Sequence, residues 1–305
     1  QYTLSLHDAL PIYFVSDSNT PNKMQKGASS LWNVLVLISQ KYFIVYAVLG
    51  LIIIFTILSD SFMSVQNTLN VLRQSSMIAI IAVGVFFTIV TAGLDISVGS
   101  VVALAGIVMS KAMVDLGIPL PLGILIGLAT GAAAGAINGY LVTRRKVPAF
   151  VATLGTMGAL RGLTYVLTNA YPVSGLPSGI YFIGRGYVGP IPVPVIIMIL
   201  VYIAAYIIAE KTKTGRFIYA IGGNEQAAHL SGIRVNAYRM FAYISSGILA
   251  ALSGIILVSR LASGQPNAGI GFEFEAITAA VIGGTSLYGG KGSVIGVFFG
   301  ALFIA

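Results

Sequence analysis

The residues that could carry chemistry are few in this chain and do not form a catalytic set. Histidine occurs only at His7 and His229, without a partner at metal-ligand spacing, and cysteine is absent. The stretch Gly289–Gly292 (GGKG) resembles part of a phosphate-binding loop. It lacks the first glycine at the required spacing, and glycine follows its lysine where serine or threonine is needed. The sequence therefore predicts no metal, no cofactor and no catalytic residue, and the protein is not expected to be an enzyme.

A few polar side chains lie within or between apolar runs. Because a carboxylate facing lipid is costly, Asp95 is expected to face a cavity, a partner or water. It could line or brace a solute path, or it could cap the following helix with Ser97. Arg161 could belong to the path or snorkel to a surface about 9 Å away. Asp95, Ser97 and Arg161 are the candidate path residues. Glu273 and Glu275 are expected in an exposed acidic loop, and contact with a partner protein is the alternative.

The composition places these residues in a lipid environment. Of 305 residues, 57% are hydrophobic and 9% are charged, whereas a soluble domain has about 25% charged residues. Apolar runs of roughly 17 residues recur, close to the length that crosses about 30 Å of hydrocarbon. The net charge of +8 comes mostly from short loops and shows no nucleic-acid-binding stripe. These features predict an all-α polytopic membrane protein.

The predicted membrane spans occupy most of the chain from residue 42 to residue 305. They lie at 42–58, 76–92, 97–113, 121–137, 149–167, 193–209 and 240–258, and an eighth begins near residue 294. The glycine-rich stretch 268–290 is expected to cross or re-enter the membrane. The apolar run 294–305 covers only about 18 Å, so we expect the membrane domain 42–305 to be truncated at its C-terminus.

The N-terminal segment 1–41 is a separate prediction. Residues 1–12 (QYTLSLHDALPI) resemble a translated sequencing adapter and are interpreted as an artefact, with a natural soluble extension as the alternative. The rest of the segment is expected in the cytoplasm.

Lysine and arginine predict the orientation of the spans. One set of alternate loops holds eleven of them, in the N-terminal segment, at Arg144–Lys146 and between Lys211 and Arg239. The other set holds Arg73, Lys111 and Arg185. Because cytoplasmic loops are enriched in positive charge, the N-terminus and the 210–239 loop are predicted to be cytoplasmic. Stretch 76–113 must then cross twice or re-enter.

The 210–239 loop is the longest polar segment between spans. Asn224 is a good N-cap, Glu225 suits the first helical turn, and Gly232 is a natural stop. A short helix here, with the small residues Ala227 and Ala228, would be a docking knob for a cytoplasmic partner. An ordinary structured loop is the alternative.

Three motifs in order resemble a known family. The segment Asn224–Ile233 (NEQAAHLSGI) is similar to the coupling loop of ATP-binding-cassette (ABC) importer permeases, with Gln226 where the family often has alanine. Gly93–Gly99 (GLDISVG) and Ala276–Gly292 (AITAAVIGGTSLYGGKG) extend the likeness to the ribose/xylose/galactose branch over about residues 42–305. The resemblance implies a multi-helix transmembrane domain with about ten spans when complete.

The resemblance also implies partners and a mechanism. Such permeases work as pairs in the bacterial inner membrane, with a separate ATPase subunit and an extracytoplasmic binding protein that delivers a small sugar. Asn224, Glu225, Ala227, Ala228 and Gly232 would couple the permease to its ATPase. A nucleoside or signalling sugar remains an alternative solute. A secondary transporter is a second class, but only Asp95 and Arg161 could couple ions; an intramembrane enzyme lacks a visible constellation.

Overall fold

The computed structural model describes residues 44–304, so the predicted N-terminal segment lies outside the described residues. Regular structure in this range is almost entirely helical. The helices are α1 Ile44–Leu58, α2 Val65–Val90, α3 Val98–Asp115, α4 Leu120–Thr143, α5 Ala149–Thr168, α6 Tyr181–Arg185, α7 Val193–Tyr206, α8 Lys213–Gly223, α9 Glu225–Leu230, α10 Val235–Leu261, α11 Phe272–Ile282 and α12 Val294–Ile304. A two-stranded hairpin, β1 Tyr187–Val188 and β2 Ile191–Pro192, follows α6.

Six of these helices are long and apolar enough to cross a membrane: α2, α3, α4, α5, α7 with its π-helical extension to Lys211, and α10. Helices α1 and α12 are apolar but shorter. The stretch 76–113 contains the C-terminal part of α2 and most of α3, and a double crossing of the membrane stays a prediction. The described residues confirm a polytopic helical protein, and a total of about ten spans stays a prediction.

Two helices begin earlier than the predicted spans 76–92 and 240–258, and for the same reason. Helix α2 begins at Val65, where Ser64 Oγ accepts a hydrogen bond from Asn67 N at 3.3 Å, and α10 begins at Val235. Both helices start with polar turns that hydropathy does not recognise.

The stretch 268–290 contains only the 11-residue α11. At 1.5 Å per residue this helix is about 16 Å long, so it cannot cross by itself.

Helix α10 lies at the centre of the bundle, packed against α2, α3 and α4. Helix α2 is buried on all sides from Ser75 to Val90, which is expected of a helix that is apolar all round and surrounded by other helices. Helices α11 and α12 pack on α2, and α5 packs mainly on α3. The residues Asp95–Ser97, which lead from α2 into α3, are therefore buried among these helices.

Glycine sets the contact between α4 and α10. A Cβ atom on Gly131 would lie 2.3 Å from the carbonyl oxygen of Gly247, and one on Gly247 would lie 2.1 Å from that of Gly131. The two backbones therefore touch, as is common where small residues line a membrane-helix interface. This approach brings Asn138 of α4 and Ser246 of α10 to the loop that follows α2.

Candidate functional site

The predicted docking helix forms as α9, at the end of the bundle where α10 begins. Asn224 has extended backbone (φ −158°, ψ 104°), and its Oδ1 accepts a hydrogen bond from Ala227 N at 2.9 Å. The predicted N-cap is confirmed. Helix α8, which precedes it, was not predicted and continues through Gly222 and Gly223.

The end of α9 also follows the local sequence. Gly232 has φ +79°, in the left-handed region that glycine adopts without a Cβ penalty. Its N–H donates to His229 O at 3.0 Å, and Ile233 N donates to Ala228 O at 3.1 Å. The predicted stop at Gly232 is confirmed. Helix α9 is thus a single short element with a defined start and end.

The two alanines of α9 have different environments. Ala227 is exposed, whereas Ala228 is only 4% exposed and packs against Ile221 of α8 and Val235 of α10. Ala228 is therefore not on the free surface of α9; it anchors α9 to α8 and α10. Leu230 is 87% exposed and was not singled out. Ala227 and Leu230 are thus a small and an apolar residue of α9 that stay exposed.

Glu225 has a partner that the sequence did not reveal. Its two carboxylate oxygens each accept a hydrogen bond from Arg239 of α10, both at 2.9 Å. The Nε of Arg239 also approaches the carbonyl oxygen of Thr91, at the end of α2, at 3.4 Å. Bidentate arginine–carboxylate pairs are geometrically specific. The start of α9 is therefore joined to two long helices.

Asp95 is buried and lies at the centre of a polar network. Its Oδ1 accepts hydrogen bonds from Ser97 N at 3.0 Å and from Ser97 Oγ at 2.6 Å, and its Oδ2 accepts one from Ser246 Oγ at 2.7 Å. Asn138 Nδ2 donates to Ser97 Oγ at 2.8 Å, and Thr156 Oγ1 donates to Asn138 Oδ1 at 2.7 Å. The network joins the 91–97 loop to α4, α5 and α10.

This network bears on the two interpretations of Asp95, which were that it lines or braces a solute path and that it caps the helix that follows. Asp95 is 1% exposed and Ser97 is fully buried, so neither lines an open path in this conformation. Asp95 does organise the start of α3, although the Ser97 side chain makes no cap bond of its own. A satisfied buried network rigidifies the elements it joins. The network braces the start of α3 against α4, α5 and α10, and a role of Asp95 in a solute path stays a prediction.

We expect Asp95→Asn to reach the membrane but to lower the protein's activity. Asp95→Ala should lose about 1–3 kcal/mol of stability because buried donors lose their acceptor. Thermal unfolding of the purified protein measures the second effect. The matched control is Asp115→Asn, which removes the half-exposed pair with Lys111. An unchanged melting temperature for Asp95→Ala would show that the carboxyl group is dispensable.

Arg161 neither snorkels nor stands free. Its guanidinium donates to the carbonyl oxygens of Pro266 at 3.1 Å, Ala268 at 2.7 Å and Gly99 at 3.1 Å. It thereby holds the segment before α11 against the start of α3. Glu273, expected in an exposed loop, is only 7% exposed, and its Oε1 accepts from Gly271 N at 3.3 Å. That expectation was wrong for Glu273, whereas Glu275 is exposed.

The loop between α11 and α12 reaches the same end of the bundle as α9. Gly290 N donates to Val90 O at 2.9 Å, and Tyr219 of α8 donates its hydroxyl hydrogen to Gly292 O at 3.0 Å. Burial, with a smaller effect of nearby Glu210, raises the pKa of Tyr219 to about 12. The hydroxyl therefore stays a donor at neutral pH. Within residues 44–304, no group of three potential ligands could hold a metal ion.

Comparison with known proteins gives a consistent result. The family described as branched-chain amino acid transport system / permease component matches residues 67–305. The ribose import permease RbsC of Haemophilus influenzae is 49% identical over 272 residues, covering 88% of this chain and 83% of the relative. RbsC of Escherichia coli K12 is 45% identical, covering 85% and 81%. The xylose permease XylH of the same strain is 34% identical, covering 87% and 84%. No solved structure shows significant similarity.

Proposed function

The chain belongs to this family of transport permeases, and from that premise we propose that it carries a small sugar into the cell as the membrane subunit of an ABC importer. The observation that carries the proposal is the 49% identity to a ribose import permease along most of both chains. ATP would be hydrolysed by a separate subunit docked at α9. The permease would alternate between outward and inward access.

The distribution of charge supports an orientation for this importer. Arginine and lysine gather at the end of the bundle that holds α9, in the loop after α4 (Arg144–Lys146), in Lys211–Arg216, and at Arg234 and Arg239. We refer to this as the basic end. Since positive loops stay cytoplasmic, the basic end would face the cytoplasm of a bacterium, as would the N-terminus. The ATPase would then dock from the same side.

Helix α5 supports pairing with a second permease. Gly155, Gly158 and Gly162 recur at helical spacing on its outer side, and a Cβ on any of them would meet nothing within 4 Å. Each glycine costs a helix about 1 kcal/mol relative to alanine. Small residues are favoured where a neighbouring membrane helix approaches closely. Exposed Glu275 of α11 would also require water or a partner.

Three arginines at the end opposite the basic end support docking of an acidic binding protein. These outer arginines are Arg73, Arg185 and Arg260. Arg73 lies 5.0 Å from the ring centroid of Tyr187, and Arg185 donates its Nε–H to Arg260 O at 2.8 Å. Among the described residues, none of the three forms an ion pair, and Arg73 Nε is buried without a hydrogen-bond partner. Arg73 and Arg260 lie on the central helices α2 and α10 rather than at the periphery. Complementary charge would guide a partner there.

The contacts of Asp95 and Arg161 disfavour a secondary transporter. Asp95 and Arg161, the two candidates for ion coupling, are both engaged by protein groups.

Proteoliposomes test the proposal when they hold the full-length permease with the ATPase and binding protein of its own transporter. We expect internal ATP to drive uptake of labelled D-ribose, and D-ribose to stimulate hydrolysis, because solute delivery and ATPase closure are coupled. Uptake driven by a proton or sodium gradient without ATP would overturn the ABC assignment. Stimulation by uridine but not by ribose or xylose would overturn only the sugar.

The same vesicles test the outer arginines. The double change Arg73→Gln and Arg260→Gln should raise the binding-protein concentration needed for half-maximal uptake at least about tenfold, equivalent to 1.4 kcal/mol. Lys111→Gln, which removes a cation already paired with Asp115, is the control. If the double variant needs no more binding protein than the control, the arginines do not form the docking site.

A further inference from the structure

Arg239 is placed to connect the docking helix with the centre of the bundle. Among the described residues, Glu225–Arg239 is the ion pair that joins two different helices, whereas Lys111–Asp115 lies within α3. The Arg239 side chain is 16% exposed, and that of Glu225 is 47% exposed. The pair is therefore partly shielded from solvent, and its two parallel hydrogen bonds fix the direction of the guanidinium.

The third donor of Arg239 points at the end of α2. Thr91 is the C-cap of that helix, and its carbonyl oxygen receives Arg239 Nε at 3.4 Å. Carbonyl groups at a helix C-terminus carry partial negative charge, so a cation there is favourable. A single guanidinium thus spans from the first residue of α9 to the last turn of α2.

The residue after Thr91 is strained. Ala92 has φ +57°, a left-handed conformation that disfavours residues with a Cβ atom. Ala92 N donates to Ile89 O at 2.8 Å, and Gly93 N donates to Thr88 O at 2.9 Å, the pattern of a helix ending that usually has glycine at this position. Such strain persists only where the surroundings impose it.

The backbone around Ala92 is held by α10 and by the loop between α11 and α12. Arg239 holds the Thr91 carbonyl, Gly290 holds the Val90 carbonyl, and a Cβ on Gly93 would lie 2.7 Å from Tyr243 Oη. Three residues after Ala92, Asp95 begins the network that fixes the start of α3. A displacement of α9 would therefore reach α3 through a loop that is already under strain.

We propose that Arg239 is a positioning residue that links α9 to the 91–97 loop and holds Ala92 in its strained conformation, so that movement of the docked ATPase resets the start of α3. The functional half of this proposal, in which the ATPase moves α9, rests on the proposed function. The structural half, in which Arg239 holds the 91–97 loop, concerns only this chain.

The structural half is tested with the purified full-length permease in nanodiscs. In Arg239→Gln, hydrogen–deuterium exchange of peptides covering 88–97 should rise at least about tenfold, because the loop loses the contact that holds it. Lys111→Gln is the matched loss of a cation and should leave those peptides unchanged. Equal protection in Arg239→Gln and in the unaltered protein would overturn the link, whether or not the protein transports a sugar.

The functional half of the proposal is tested by asking whether a second substitution, Ala92→Gly, restores coupling in the Arg239→Gln variant. In the reconstituted transporter, Arg239→Gln should lower solute transported per ATP hydrolysed at least about fivefold. Adding Ala92→Gly should restore at least half of that ratio, because glycine adopts φ +57° without the contact. A ratio that does not fall, or that falls without recovery in the double variant, overturns the proposed role of Ala92. If the unaltered transporter shows no ATP-driven uptake, the proposed function fails, and the exchange measurement alone decides the link.

Discussion

Replacing Gly247 by leucine is expected to destabilise the membrane bundle by at least about 3 kcal/mol, the upper part of the range for overpacking. A Cβ atom at Gly247 would lie 2.1 Å from the carbonyl oxygen of Gly131 and 2.9 Å from the nitrogen of Gly135. These are backbone atoms of α4, so no change of side-chain rotamer can relieve the clash. Helices α4 and α10 must separate, and Asn138 and Ser246 would move away from Asp95.

Size-exclusion profiles and thermal unfolding of detergent-extracted protein measure this effect. The control is Gly50→Leu on α1, where a Cβ would meet nothing within 4 Å. We expect the control to resemble the unaltered protein and Gly247→Leu to aggregate or unfold at a lower temperature. A stable, monodisperse Gly247→Leu protein would show that α4 and α10 do not pack as described.

The second large effect is expected on α9, where two adjacent substitutions should fail for different reasons. Ala228→Glu places a carboxylate in a site that is 4% exposed and lined by Ile221 and Val235, which costs several kcal/mol unless α9 detaches. Ala227→Glu adds the same group on the exposed side of α9 and should leave the permease folded. Both should prevent the ATPase from docking.

Co-purified ATPase and the melting temperature of the isolated permease separate the two mechanisms. Both variants should lose the ATPase, but only Ala228→Glu should melt earlier. Val188→Glu, exposed in the hairpin at the opposite end, is the control and should keep the ATPase. Gly232→Val, which forces a β-branched residue to φ +79°, should reduce docking to an intermediate level. Full ATPase yield and uptake in both alanine variants would make α9 a passive loop.

Sequence reasoning succeeded where the cause lies within a few neighbouring residues. The apolar spans follow from the length needed to cross hydrocarbon, and the cap at Asn224 and the stop at Gly232 follow from hydrogen bonds and backbone angles three or four residues apart. The polar starts of α2 and α10 escaped the same reasoning because hydropathy does not register a helix that begins outside the apolar region.

The sequence by itself determined that this protein is a bundle of apolar helices with a capped polar helix between two spans. Only the tertiary structure decided which side chains meet. Asp95 is 151 residues from Ser246, and Glu225 is 14 residues from Arg239. Successive side chains point 100° apart around a helix axis, so such contacts depend on how each helix is rotated about its own axis. They also depend on how closely α4 and α10 approach at Gly131 and Gly247. No local pattern contains that information, because rotation and approach are set by the whole packed bundle at once.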